Sequence, residues 1–218
     1  LAAATGLRVV SADYRLAPEH RHPAHFVDAW AATVGAASLW PGPLVMAGDS
    51  AGAALAASVT HKARASGPMI AGQLLIYPGL GGPLDRGSAL THANAPMLTR
   101  DDVLFYRACR YVDGVEPDAD PTATALRDSD FSRLPPTLIF AAACDPLADD
   151  GPAYAQSLTA AGGRAFCRTE AGLPHGYLRG RHDVTGARDS FAHIADGLAH
   201  LARGDWPTWA APPREGSR

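Results

Sequence analysis

Lysine is almost absent from this sequence: of its 19 basic residues, all but Lys62 are arginine. Set against 22 acidic residues, they leave a net charge of −3. Nothing in that balance suggests a nucleic acid or an anionic membrane surface as partner. Cysteine is scarce too. Cys109, Cys144 and Cys167 are odd in number and make no disulfide framework, which points to a reducing compartment and a cytoplasmic location. No apolar run approaches the length of a membrane span, so stable membrane insertion is not expected. No secretory leader is visible, although one ahead of Leu1 stays open. Internal repeats are lacking as well.

What is present suits one sizeable domain. The 218 residues are 47% hydrophobic, enough to bury a core. Residues 1–5 read as a helix end, stopped by Gly6. Strands are expected at 7–12, 44–47, 73–77, 137–143 and 164–169, and helices at 24–39, 51–65, about 151–161 and about 186–202. Between them, residues 78–136 are rich in Gly, Pro and Asp and hold one helix at about 100–111. Residues 170–180 read as a loop and 204–218 as a frayed tail. Strand alternating with helix implies an α/β protein, its mostly parallel sheet doubly wound and covered on both faces.

One stretch carries chemistry. Residues 44–59, LVMAGDSAGAALAASV, run from a strand through Gly48-Asp49-Ser50-Ala51-Gly52 into a helix of small residues. This fits G-x-S-x-G, a sharp turn that holds a serine in a strained conformation above a helix N-terminus. On this reading Gly48 and Gly52 leave room for strand and helix to approach. A serine at its ordinary pKa needs a base, and the base needs an orienting acid. Asp145 stands at the C-terminal end of the strand at 137–143. Asp149 and Asp150 are nearby rivals, better explained as cap and dipole residues of the next helix. Among nine histidines, His175 alone combines the right order with a loop after the last strand. His20, His22 and His25 fit no standard zinc spacing, so no metal site is assigned to them.

The chain resembles the hormone-sensitive lipase family of α/β-hydrolases, in the branch of bacterial esterases. Three stretches carry the likeness: Asp13-Tyr14-Arg15-Leu16-Ala17-Pro18-Glu19-His20, then Gly48-Asp49-Ser50-Ala51-Gly52, then Asp145-Pro146-Leu147 with His175-Gly176. The resemblance implies the α/β-hydrolase fold, Ser50 as nucleophile, His175 as base and Asp145 as acid. It also implies an ester substrate, no cofactor, the Ala51 amide as an oxyanion donor, and active-site support from Asp13 and Arg15, two residues that could pair. The His-Gly-Gly-Gly stretch that the family carries upstream is lacking here. So is the strand expected between 7–12 and 44–47. The expectation is therefore a partial α/β-hydrolase domain over 1–218 with about five strands, its N-terminal part missing. Strands 7–12 and 44–47 would stand two strand spacings apart, about 10 Å. Such a chain, expressed alone, is expected to be insoluble or molten with little esterase activity.

The leading functional reading is a serine carboxylic-ester hydrolase for short- to medium-chain acyl esters. An amidase or peptidase with the same triad stays open, as does a non-catalytic binding protein on the same fold. Residues 78–136 would form part of a cap, with Met97, Leu98, Phe105 and Tyr106 as candidates to line an acyl pocket, or else plain core residues at helical spacing.

Overall fold

A computed structural model describes residues 1–211. Four strands form one parallel sheet in the order β1 (Leu44–Asp49), β2 (Ile70–Ile76), β3 (Thr137–Cys144) and β4 (Ala165–Pro174). The helices are α1 (Ala2–Thr5), α2 (Ala24–Leu39), α3 (Ala51–Ser66), α4 (Ser88–Thr91), α5 (Arg100–Arg110), α6 (Asp150–Ala160) and α7 (Thr185–Ala202).

The sheet is buried on both faces because its central strands run continuously apolar through residues 74–76 and 138–142, not at alternate positions. Leu74, Ile76, Leu138 and Phe140 pack with Ile194, Leu198 and Leu201 of α7. Their neighbours in sequence, Leu75 and Ile139, point the other way, against Ala53, Ala56 and Ala57 of α3 and Tyr154 and Leu158 of α6. The small side chains of α3 let it lie close on the sheet; Ala53 and Ala57 have no exposed surface. Helix α2 completes that side through Phe26 and Trp30 against Leu55 and Val59.

The helix boundaries follow their end signals. Gly6 closes α1 with φ of +69°, the left-handed conformation glycine accepts freely. Thr99 and Asp102 form a reciprocal capping box at the start of α5.

Four expectations need correction. Residues 7–12 form no strand: among the described residues they pair with no neighbour, and Val9 and Val10 are half exposed. The sheet therefore has four strands rather than about five. An open cleft of about 730 Å³ separates that segment from β1, whose outer edge carries no partner among the described residues. A strand is a property of a pair, and apolar β-branched residues do not make one without a partner. Second, β4 continues to Pro174 through the stretch expected as the start of a loop, with an irregularity in register opposite Ala142 and Cys144. Third, the supposed tail is packed over 206–210. Trp209 lies against Phe140 and Phe166 and donates its indole N–H to Asp196 at 2.8 Å, and Ala210 is buried. Residues 212–218, the rest of that tail, lie outside the described residues. Fourth, Arg15 pairs with Asp28 of α2 through two contacts of 2.8 Å, not with Asp13, which is exposed.

Candidate active site

Strand register assembles the site. The ladder between β1 and β2 ends at Asp49 opposite Ile76, and that between β3 and β4 ends at Cys144 opposite Pro174. The first residue beyond each strand is then Ser50, Tyr77, Asp145 and His175. All four emerge at the C-terminal edge of the sheet, where open α/β sheets hold their sites.

Ser50 sits at φ +53° and ψ −119°, a conformation rare for any residue with a side chain. Its amide donates to the Ile76 carbonyl at 2.9 Å, which ties the turn to β2. Gly48 makes the turn possible: a Cβ there would stand 2.3 Å from the Gly52 carbonyl carbon. Gly52 has no such need, since a Cβ there would meet nothing within 4 Å. Ser50 precedes α3, and the Ala54 amide is the first of that helix to bond back to the Ser50 carbonyl, at 3.1 Å. The Ala51 amide is therefore one of the unsatisfied donors at the positive end of α3.

Ser50 Oγ lies 2.7 Å from His175 Nε2, and His175 Nδ1 lies 2.7 Å from Asp145 Oδ2. A carboxylate only accepts, so the imidazole proton belongs on Nδ1, and Nε2 is free to accept from the serine. Asp145 is 1% exposed, and its other oxygen accepts from the Leu147 amide at 2.9 Å. Asp149 and Asp150 turn elsewhere. Neither caps α6: Asp149 accepts from the Ser88 amide at 2.7 Å and Asp150 from the Leu80 and Gly82 amides. Both tether residues 78–136 to the sheet side of the molecule.

The other expected residues fall further out. Met97, Phe105 and Tyr106 are 60%, 64% and 58% exposed, while Leu98 is buried in a small cluster with Leu84, Ala89 and Val103. Of the Asp13–His20 stretch, Tyr14 is partly buried. It packs with Phe26, Leu55 and Val59, and burial raises its phenol pKa, with the Asp49 carboxylate adding to the effect. His20 is exposed; His22 contacts Asp120 at 3.3 Å; His25 accepts from Arg110 at 3.1 Å, and burial beside that guanidinium lowers it to about 4. Among the described residues no three His, Cys, Asp or Glu side chains gather as metal ligands. Tyr77 is the contact partner that sequence reasoning missed. Its signal was positional: like Ser50, Asp145 and His175 it is the residue that ends a strand.

A hydroxyl, an imidazole and a carboxylate aligned at the C-terminal edge of a parallel sheet define a class. The chain belongs to the alpha/beta hydrolase fold family, which matches residues 1–179, and within it to the hormone-sensitive-lipase-like group. Among individual relatives, it is 42% identical over 205 residues to carboxylesterase NlhH of Mycobacterium tuberculosis, covering 89% of this chain and 63% of that one. It is 35% identical over 213 residues to the carboxylic ester hydrolase LipN of the same organism, covering 90% and 56%. The structure of a Pyrobaculum calidifontis esterase superimposes with a TM-score of 0.84 at 33% identity, covering 92% of this chain and 68% of the other. The chain thus spans less than two thirds of the length of these two mycobacterial relatives. No helix among the described residues is long and apolar enough to cross a membrane.

Proposed function

We propose that the protein is a serine carboxylic-ester hydrolase acting on short- to medium-chain acyl esters through an acyl-enzyme. The observation that supports this most is the pair of 2.7 Å contacts joining Ser50, His175 and Asp145. The names of the relatives agree with it.

The chemistry follows from the geometry. Ser50 Oγ attacks the ester carbonyl carbon while its proton passes to His175 Nε2. The imidazolium formed is held by Asp145, which needs no proton of its own. The carbonyl oxygen becomes an oxyanion, stabilised by the Ala51 amide at the N-terminus of α3. Collapse of this intermediate breaks the bond to the alcohol oxygen, which takes the proton from His175 and leaves. Water then loses a proton to His175, adds to the acyl-enzyme, and releases the acid; the proton returns to Ser50. Residues 78–136 would serve as part of the cap, with α5 presenting Phe105 and Tyr106 at its surface.

The test is hydrolysis of p-nitrophenyl acetate and butyrate by the purified full-length protein, followed in the stopped-flow. A burst of p-nitrophenol is expected before steady turnover. Ser50→Ala should lose it, with activity down at least about a thousandfold and an unchanged melting temperature. Retained turnover in that variant would exclude the mechanism.

A further inference from the structure

Three of the four residues that end the strands have a part in the proposed chemistry. The fourth, Tyr77, is held at a conformation that a bulky residue avoids, with φ of +33°. Its backbone is pinned on both sides. The Tyr77 amide donates to the Phe140 carbonyl at 2.7 Å, and the carbonyl just before it, that of Ile76, accepts from Ser50. Strain at such a position persists only where the surroundings over-determine it.

The side chain spans from the imidazole to the nucleophile turn. Tyr77 is 3% exposed, and its ring centre is 4.9 Å from that of His175, tilted by 59°. Its hydroxyl donates to Asp49 Oδ2 at 3.0 Å, on the residue just before the nucleophile. Tyr177 braces it from a third direction, edge-on at 5.1 Å, and is itself fixed by a 2.8 Å bond between its hydroxyl and Ser190. An imidazole that must present Nε2 to Ser50 and Nδ1 to Asp145 works at one ring orientation only. Two hydrogen bonds define that orientation, and both lapse if the ring swings. A braced aromatic wall against the imidazole prevents the swing.

We propose that Tyr77 is a positioning residue: its ring holds the His175 imidazole between Ser50 and Asp145, and its hydroxyl anchors that ring to the nucleophile turn through Asp49. The proposal rests on the Ser50–His175–Asp145 reading above.

The test compares Tyr77→Phe and Tyr77→Leu with the unsubstituted protein. The measurements are the acylation rate with p-nitrophenyl acetate, kcat and KM separately, and the low-field proton resonance of the His175–Asp145 hydrogen bond. Misplacement of a reacting group by about 1 Å can cost on the order of a hundredfold. Tyr77→Leu should therefore acylate roughly 10- to 100-fold more slowly at nearly unchanged KM, with the resonance broadened or lost. Tyr77→Phe keeps the ring and loses the anchor, so it should restore most of the rate and the resonance. A Tyr77→Leu protein that acylates at the original rate with the resonance intact overturns the proposal. If Tyr77→Leu does not fold, Tyr77→Phe decides: rate and resonance both identical to the original overturn the anchoring role, and a measurable loss in both supports it. If the unsubstituted protein shows no burst, the triad reading itself fails and the Tyr77 proposal falls with it; a burst that ignores both substitutions condemns Tyr77 alone.

Discussion

Asp145 accepts two hydrogen bonds while almost fully buried, one from the imidazole and one from its own loop. Asparagine would keep its shape but could offer an N–H where His175 needs an acceptor, favouring the wrong tautomer. Asp145→Asn should lower kcat by roughly a thousand- to ten-thousandfold with little change in KM, measured by steady-state ester hydrolysis. The two glycines of the nucleophile turn make a second residue-scale contrast. Gly48→Ala would force a Cβ into the Gly52 backbone and should lower stability by at least about 2 kcal/mol in a thermal or urea melt. Gly52→Ala faces open space at the start of a helix and should be neutral or slightly stabilising, by up to about 1 kcal/mol. Equal costs for the two would contradict the geometry of the turn. The serine, histidine and aspartate were legible because each type has a known task and they occur in a known order. The need for Gly48 but not Gly52, the switch of Arg15 from Asp13 to Asp28, and the contacts of Tyr77 were not, because each depends on which atoms meet in space.

Helices α2, α3, α5, α6 and α7 were legible to within about two residues, since apolar spacing and end signals are local. The strands were less so. Residues 7–12 have the composition of a strand without the pairing, and β4 hides its last residues behind a turn-like run that includes Gly172 at φ +71°. Asp150 shows another limit. Its place in the first turn of α6 suggested a dipole role, yet its work is to hold Leu80 and Gly82. Burial, opposed by those amides and by Arg107, pushes its carboxyl up to about 6. The folded state therefore binds this proton more tightly than the unfolded chain. The resulting stability is complete below the ordinary value of 3.8 and is lost as pH rises through about 6. Asp150→Asn carries no such charge. The melting temperature of the variant minus that of the original should grow between about pH 4 and pH 7, equivalent to roughly 3 kcal/mol at about 1.4 kcal/mol per pKa unit. A difference that stays flat with pH would contradict burial as the dominant influence.

At the scale of the whole molecule, the sheet is covered on its faces and open along β1. Helices α3, α6 and α7 cover those faces, but among the described residues β1 has no strand partner on its outer edge, which faces a cleft of about 730 Å³. A free parallel-sheet edge with apolar residues such as Val45 and Met46 is a template for other chains. The 218 residues expressed on their own should self-associate, visible as large species in size-exclusion chromatography with light scattering. Val45→Lys should reduce that association; a monomer from the original sequence would contradict it. The fold class was readable from the alternation of strand and helix, and the open edge from the motif that the chain lacks. The extent of the cleft was not, because residues 7–12 had to be seen without a partner. The central claim of the account is that Ser50 is a nucleophile activated by its neighbours, and covalent labelling tests it most directly. Incubated with a fluorophosphonate and digested, the protein should carry one phosphonyl adduct, on the peptide containing Ser50, and none after His175→Ala; an unlabelled Ser50, or labelling that survives loss of His175, would contradict it.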